Sequence, residues 1–262
     1  MNLDPLPRHW SLLRSEPARG VRNMAVDVAL SERARSASVG VWRSYAWARP
    51  TVSFGRHELT RGRFDQDSLA TVGLDVARRP TGGRTLLHHR EVTYSVTMPL
   101  GASVPWKRAY AEINRILLNA LIALGVDATI VHDNETAPMR PDGPLCFDAP
   151  AAGEIAVRGA KLVGSAVWRD HGAYLQHGSI LLHDDQALLV AAARSPIMAA
   201  PPAASLATCC AVAPTWNTVV EALESALAAQ HVVKPFVTTA PFASSVDAHE
   251  RDLTRPDWIW RR

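Results

Sequence analysis

Residues 153–182, GEIAVRGAKLVGSAVWRDHGAYLQHGSILL, set three runs rich in strand-forming residues around Gly159 and Gly172. Runs of this length separated by glycine-marked breaks predict a three-stranded antiparallel meander with turns at those two glycines. Other short segments carry the same signal: VWRSYAW, TVSFG, LDVARR, VTYSVTM and DATIVH. Between them lie three stretches with helical spacing of apolar residues. The first is Asn23–Arg35, with Asn23 as an expected N-cap. The second starts at Trp106 and puts Ile113, Ile116, Leu117, Ala120, Leu121 and Leu124 on one stripe before a stop at Gly125. The third begins at Thr215, with Val219, Val220, Leu223, Ala226 and Leu227 inward. Strands come in clusters rather than one for one with helices. The expected fold is therefore α/β of the α+β kind, with mixed, largely antiparallel sheets and helices packed on them. The Pro- and Ala-rich stretch around residues 196–207 reads as a linker. It divides a main domain, 1–195, from a small helical C-terminal extension, 208–262.

A chain of 262 residues with 47% apolar content can bury a substantial core. No run of about 18 uncharged apolar residues is present, so no membrane span is expected. The opening MNLDPLPRHWSLL lacks the basic end and apolar block of a secretory signal, and a cytoplasmic location is the expectation. The excess of Lys and Arg over Asp and Glu, 28 against 25, is too small to argue for nucleic acid. Three cysteines, Cys146, Cys209 and Cys210, make no disulfide framework and no zinc pattern. With no coiled-coil or repeat signal, a monomer is expected.

Several residues stand out chemically. RRPTGGRTLLHHREVTYSV, residues 78–96, brings Gly82 and Gly83 between basic residues and a strand-forming run. Adjacent glycines allow positive φ and close approach of a ligand to bare backbone, while nearby arginines and N–H groups suit an anion or a carbonyl. Cys146 sits in a loop bounded by Pro144 and Pro150, where a thiol is more reachable than inside a strand. Lys161 heads a segment in which Gly164, Ser165 and Ala166 present almost no side chain, so a ligand could lie along that backbone. His88, His89 and His177 fall in or beside these strands, but no carboxylate or thiol pattern supports a metal site. The segment VGSAV lacks the second glycine of a nucleophile elbow, and no phosphate-binding glycine motif occurs.

Taken in order, RRPTGGRTLLHHREVTYSV, then CFDAP with GEIAVRGAKLVGSAV, then LQHGSILL resemble the lipoate-protein ligase and octanoyltransferase family. The likeness runs from RNMAVDVAL and YAWARPTVSFGR to the closing DWIWRR. A cysteine before FDAP and a lysine fifteen positions later are similar to the cofactor-free octanoyltransferases of that family. The resemblance implies a biotin/lipoyl protein ligase-like catalytic domain with an acyl tunnel on its central sheet. It implies transfer of an octanoyl or lipoyl group from acyl carrier protein to a lysine of a lipoyl domain, such as a glycine cleavage H protein or a dehydrogenase E2. Cys146 would carry the acyl thioester, and Lys161 with loop N–H groups would stabilise the oxyanion. Arg79, Thr81, Gly82, Gly83, Arg84, His88, Gly164, Ser165, Ala166, Gln176, His177 and Gly178 would shape the substrate site, with Arg79 and Arg84 orienting the donor's phosphopantetheine arm or acidic face. No cofactor and no metal would be needed. ATP and Mg enter only in the alternative, a lipoate ligase forming an acyl-adenylate; a non-catalytic binder of acyl chains or lipoyl domains is the other rival. The chain departs from the family pattern at His89, at Val167 and in AAGE at 151–154.

Overall fold

Two turns of left-handed backbone double the central stretch of the chain back on itself. In the computed structural model, Arg158 (φ 50°) precedes Gly159 (φ 81°), and His171 (φ 46°) precedes Gly172 (φ 82°). Each pair joins strands whose facing ends are Val157 with Ala160 and Asp170 with Ala173. Consecutive positive φ values give the two-residue hairpin whose twist matches that of its strands, so the expected meander is present.

The structure describes residues 5–60, 62–101, 104–132, 147, 149–194 and 201–261. Along the chain these form β1 (His9–Arg14), α1 (Gly20–Ala34), β2 (Gly40–Tyr45), β3 (Thr51–Phe54), α2 (Gln66–Thr71), β4 (Asp75–Arg78), β5 (Leu86–His88), β6 (Glu91–Pro99), α3 (Trp106–Ala123) and β7 (Thr129–Ile130). There follow β8 (Ile155–Val157), β9 (Ala160–Asp170), β10 (Ala173–Leu181), α4 (Ala187–Ala192), α5 (Leu206–Cys209), α6 (Trp216–Ala228), β11 (Val232–Pro235), α7 (Ala240–Leu253) and α8 (Pro256–Ile259). Eight strands make one sheet in the order β11-β1-β2-β6-β10-β9-β8-β7, and β4-β3-β5 make a second, smaller one. Pairing is antiparallel from β2 across to β7 and parallel at β1–β2, β1–β11 and β3–β4. The fold is thus mixed α/β, as expected.

Strand alternation divides the large sheet into two faces of opposite character. On β6, Val92, Tyr94, Val96 and Met98 join the main apolar core. Ile113, Ile116, Leu117, Ala120 and Leu121 of α3 meet them there, together with Val219, Val220, Leu223 and Leu227 of α6. Both expected stripes are inward; Leu124 and Ala226 lie at their margins, partly buried. Each fully buried branched side chain contributes roughly 1.5–3 kcal/mol. Gly125, at φ 79°, ends α3 where expected. The other face of β6 presents Glu91, Thr93, Ser95 and Thr97, all buried. It is covered by α1 and by the small sheet.

Asn23 is not the N-cap of the first helix. α1 begins at Gly20, and the Asn23 side chain instead donates to the carbonyls of Ala18 and Ala46 and accepts from Arg43. A tertiary tie to β2 takes the amide that sequence alone assigns to local capping. Thr215 does cap α6, accepting from the Thr218 N–H at 3.2 Å. Residues 208–261 pack against the rest of the molecule: β11 adds to the large sheet beside β1, α6 shares the core of α3, and α7 lies on α1. Among the described residues no helix is long and apolar enough to cross a membrane.

Leu117 is fully buried between α3 and the sheet. Leu117→Ala is expected to lower unfolding free energy by about 2–5 kcal/mol in urea titration. Ile122→Ala, on the outer side of the same helix, is expected to change it by less than about 0.5 kcal/mol.

Candidate active site

The polar face of the sheet is built around a carboxylate and a guanidinium that are both out of water. Asp27, projecting from α1, accepts at one oxygen from Arg43 Nη1 (2.7 Å) and the Ser95 hydroxyl (2.7 Å). Its other oxygen meets the Tyr45 hydroxyl (3.1 Å) and His177 Nδ1 (3.0 Å). Burial pushes the Asp27 carboxyl up, but the Arg43 charge and the His177 and Ser95 hydrogen bonds outweigh it and hold the group below the ordinary aspartate range. Tyr45 is raised well above its usual value by burial and by the Asp27 charge. With Nδ1 turned to Asp27, His177 reaches the Thr81 hydroxyl through Nε2 at 2.6 Å. An anchor inside α1 is thereby passed to the loop that carries Gly82 and Gly83.

A second polar knot joins the small sheet to the large one. His88 contacts the Ser53 hydroxyl through Nε2 (2.7 Å) and Glu91 through Nδ1 (2.8 Å), and stacks on Trp47 with ring centroids 4.0 Å apart. Glu91 Oε1 also accepts from Trp47, Thr93 and Ser179. Burial lowers the His88 pKa, with Glu91 opposing, so the ring is held towards its neutral form.

Between these two sheets lies a narrow cleft of about 50 Å³. Met24, Tyr45, His88, Thr93 and Ser179 form its buried end, and Gly83, Ser165, Ala166 and Gly178 its exposed end. The loop over it is packed backbone on backbone: a Cβ added at Gly55 would come within 1.9 Å of the Gly83 carbonyl oxygen. Gly83 itself takes φ 99°, which a side chain would resist. Arg79 is buried and works inside the protein. Its guanidinium donates to Ser53 and to the carbonyls of Gly82 (3.3 Å) and Arg84 (2.8 Å), so it shapes the loop from behind.

Lys161 is buried, 4% exposed, and its ammonium lies 2.8 Å from Glu154. The side chain folds back across its own strand. A Cβ at Gly164 would meet Lys161 Cε at 2.9 Å and Nζ at 3.3 Å, so glycine there is what lets the amine lie against the cleft wall. Glu154 is itself held by the backbone N–H groups of Ala151 (2.8 Å) and Ser165 (3.2 Å). Phe147, the residue after Cys146, packs 5.0 Å from the amine and would also touch a Gly164 Cβ. Cys146 lies outside the described residues.

Most of the expected site residues are brought together: Arg79, Gly83, His88, Gly164, Ser165, Ala166, His177 and Gly178 line the cleft. Thr81 stands behind it on His177, and Gly82 is at the mouth with open space around it. Gln176 is elsewhere. Strand alternation turns it to the α3 side, where it bonds Tyr94, Asn114 and Tyr174. Arg84 contributes its carbonyl to Arg79. Sequence reasoning missed Asp27, Arg43, Tyr45, Glu91, Glu154 and Met24. For Asp27 a signal existed: Asn23, Asp27 and Ser31 recur at i, i+4, i+8 beside apolar residues in a helix. Among the described residues no group of three His, Cys, Asp or Glu side chains could hold a metal ion.

A narrow apolar cleft under a glycine loop, with a buried lysine packed on Gly164 of its wall, marks out one site on this α/β domain. The chain matches the lipoyl protein ligase A/B catalytic domain over residues 20–228, and it belongs to that family. It is 39% identical to Octanoyltransferase LipM of Kyrpidia tusciae over 194 residues, 71% of each chain. It is equally 39% identical to Octanoyltransferase LipM of Symbiobacterium thermophilum, over 72% of this chain and 70% of that one. Among solved structures, the bi-partite lipoate protein ligase from Thermoplasma acidophilum superposes with a TM-score of 0.76 at 19% identity, covering 97% of this chain and 96% of that one. That likeness is one of fold.

Arg43→Met leaves Asp27 buried without its cation and is expected to destabilise the protein by about 3–5 kcal/mol in denaturant titration. For His88 the folded-state pKa lies below the unfolded one, near 6.5. Below that pH the unfolded chain binds a proton that the folded ring refuses, so stability is full above about 6.5 and falls as pH drops towards the folded value. Urea midpoints at about pH 7.5 and about pH 5.5 are expected to differ, and His88→Gln to shrink the difference.

Proposed function

We propose that this chain is an octanoyltransferase of lipoate biosynthesis that carries its acyl group on Cys146 and delivers it to a lysine of a lipoyl domain. The observation that carries the reading is the cleft itself. It is narrow and almost wholly apolar, lined by Met24, Leu86, Thr93 and bare strand backbone, and flanked at Gly164 by a buried ammonium. An aliphatic tail gains about 0.8 kcal/mol for each methylene removed from water. Its carbonyl would then sit by Lys161, whose ammonium, held in place by Glu154, would face the charge that develops on the oxygen. The 39% identity to two LipM octanoyltransferases supports the same activity.

The chemistry balances without a nucleotide. The Cys146 sulfur attacks the carbonyl of an octanoyl thioester donor, taken to be acyl carrier protein. The donor's C–S bond breaks, its thiol leaves protonated, and a new thioester forms on the enzyme. A neutral lysine amine of the lipoyl domain, from a glycine cleavage H protein or a dehydrogenase E2, then attacks that carbonyl. The amide forms, the amine's proton is lost, and the Cys146 thiol returns. The first step trades thioester for thioester and the second runs downhill to an amide, so neither asks for ATP, Mg or another cofactor.

Incubating the protein with octanoyl-acyl carrier protein in the absence of ATP is expected to add one octanoyl mass, lost in Cys146→Ala. Subsequent addition of a lipoyl domain should move that mass to the acceptor. Lys161→Met should slow both steps by roughly 10²–10³, the range for removal of one oxyanion donor. Modification of the acceptor only when ATP is supplied would establish the ligase reading instead. Absence of transfer under both conditions would leave a binder.

A further inference from the structure

Resting on the transferase reading, we infer that Arg56 is an anion post that receives the phosphate of the donor's pantetheine arm. Arg56 follows Gly55, the residue on which the cleft loop is packed, and its backbone N–H donates to the Thr81 carbonyl at 2.8 Å. Its guanidinium lies over the ring of Trp168 at 5.2 Å and over that of Trp258 at 5.5 Å. The one protein acceptor it meets among the described residues is the Pro80 carbonyl, at 3.5 Å, the far limit of a hydrogen bond. Among the described residues no carboxylate pairs with it. The contrast is with Arg43, Arg78 and Arg79, whose N–H groups are taken up by buried oxygens.

Position gives this half-buried cation its meaning. Gly164, Ala166 and Trp168 succeed one another on the site face of β9, opposite Ser179, His177 and Leu175. Gly164 and Ala166 line the cleft, and Trp168 continues the row outside it. At roughly 3.4 Å per residue, Trp168 is about 14 Å along the strand from Gly164, where Lys161 lies. A donor whose thioester carbonyl sits by Lys161 would leave along this row with an extended arm, and a phosphodiester at the arm's far end would meet Arg56. Aromatic faces hold a guanidinium through its π surface and leave its in-plane N–H groups for a planar or tetrahedral oxyanion. Trp258 comes from α8, so the closing segment of the chain helps to build the post.

The test compares donors with and without the phosphate. Arg56→Gln is expected to raise KM for octanoyl-acyl carrier protein roughly tenfold or more, the scale of a lost charge-assisted hydrogen bond, with kcat little changed. Transfer from octanoyl-N-acetylcysteamine, which has no phosphate, should stay within about twofold of wild type, and Arg56→Lys should recover part of the loss. As a non-reacting probe, phosphopantetheine should inhibit the wild type more strongly than pantetheine, and R56Q should remove that preference. Equal losses with both donors would assign Arg56 a purely structural role and overturn the inference. An unchanged KM for the carrier protein would overturn it too. If the wild type transfers from neither donor, the transferase reading itself fails; phosphate preference in the inhibition of lipoyl-domain modification then remains a separate readout.

Discussion

The Asp27–Arg43 pair is the constraint on which the rest of the polar face depends. Both side chains are essentially out of solvent, at 0% and 1% exposure, and removing two opposite charges from water costs several kcal/mol per ion unless every donor and acceptor is met. Here they are met. Arg43 donates to Asp27, to the Asn23 carbonyl and side chain and to Ser15, and its guanidinium lies 3.8 Å from the Tyr45 ring centre. Asp27 receives four donors or ring contacts from β2, β6 and β10. Such a satisfied cluster admits one arrangement of α1 on the sheet, because any slip strands a buried charge. Through His177 and Thr81 that single arrangement extends to the glycine loop.

The two faces of the large sheet divide the tasks of stability and chemistry. On one, α3 and α6 bury aliphatic side chains against Val92, Val96 and Ile180, a non-directional contact that tolerates small adjustments. On the other, Ser95, Thr93, Glu91, His177 and Ser179 hold geometry through directional bonds, and the small sheet closes over them. A cleft between two such layers is stiff along its polar walls. Yet its lining atoms are mostly carbon, because the hydroxyls and ring nitrogens are turned into each other rather than into the space. An aliphatic tail can lie there without stranding a polar group.

The apolar half of this design was legible from residue spacing; the polar half was not. The stripes of α3 and α6 and the two hairpin turns follow from periodicity and from glycine placement, and the structure has them where expected. By contrast, Glu91, Thr93, Ser95 and Thr97 alternate with apolar residues along β6, a pattern that in sequence means a solvated face. Their burial arises from elements packed across them, which alternation does not reveal: α1 with Asp27, distant in sequence, and the small sheet with Ser53 and His88. Gln176 shows the same limit in reverse, since its place in LQHGSILL suggested the site while strand alternation sends it to α3. The short strands β1, β5 and β11 were not readable either, because two of them lie at sheet edges and owe their extended form to their neighbours.

Lys161 and Glu154 also explain why the cleft wall is made of small residues. A lysine amine carried on a strand has two routes: to stand off the sheet, where water competes for it, or to lie along the sheet, where side chains obstruct it. Gly164 opens the second route, and the Glu154 carboxylate, fixed by the N–H groups of Ala151 and Ser165, holds the amine at the end of it. In the transferase proposed above, the cation would thereby be positioned before substrate arrives, and developing charge on an oxygen would meet a donor needing no rearrangement. The cost is a strand segment with little side chain of its own to pack. That cost is met by Phe147 pressing on Lys161 and Gly164 from one side and by Tyr94, bonded to Ser165 at 2.7 Å, from the other. The same sparse backbone that lets the lysine lie flat also leaves open the apolar cleft beside it.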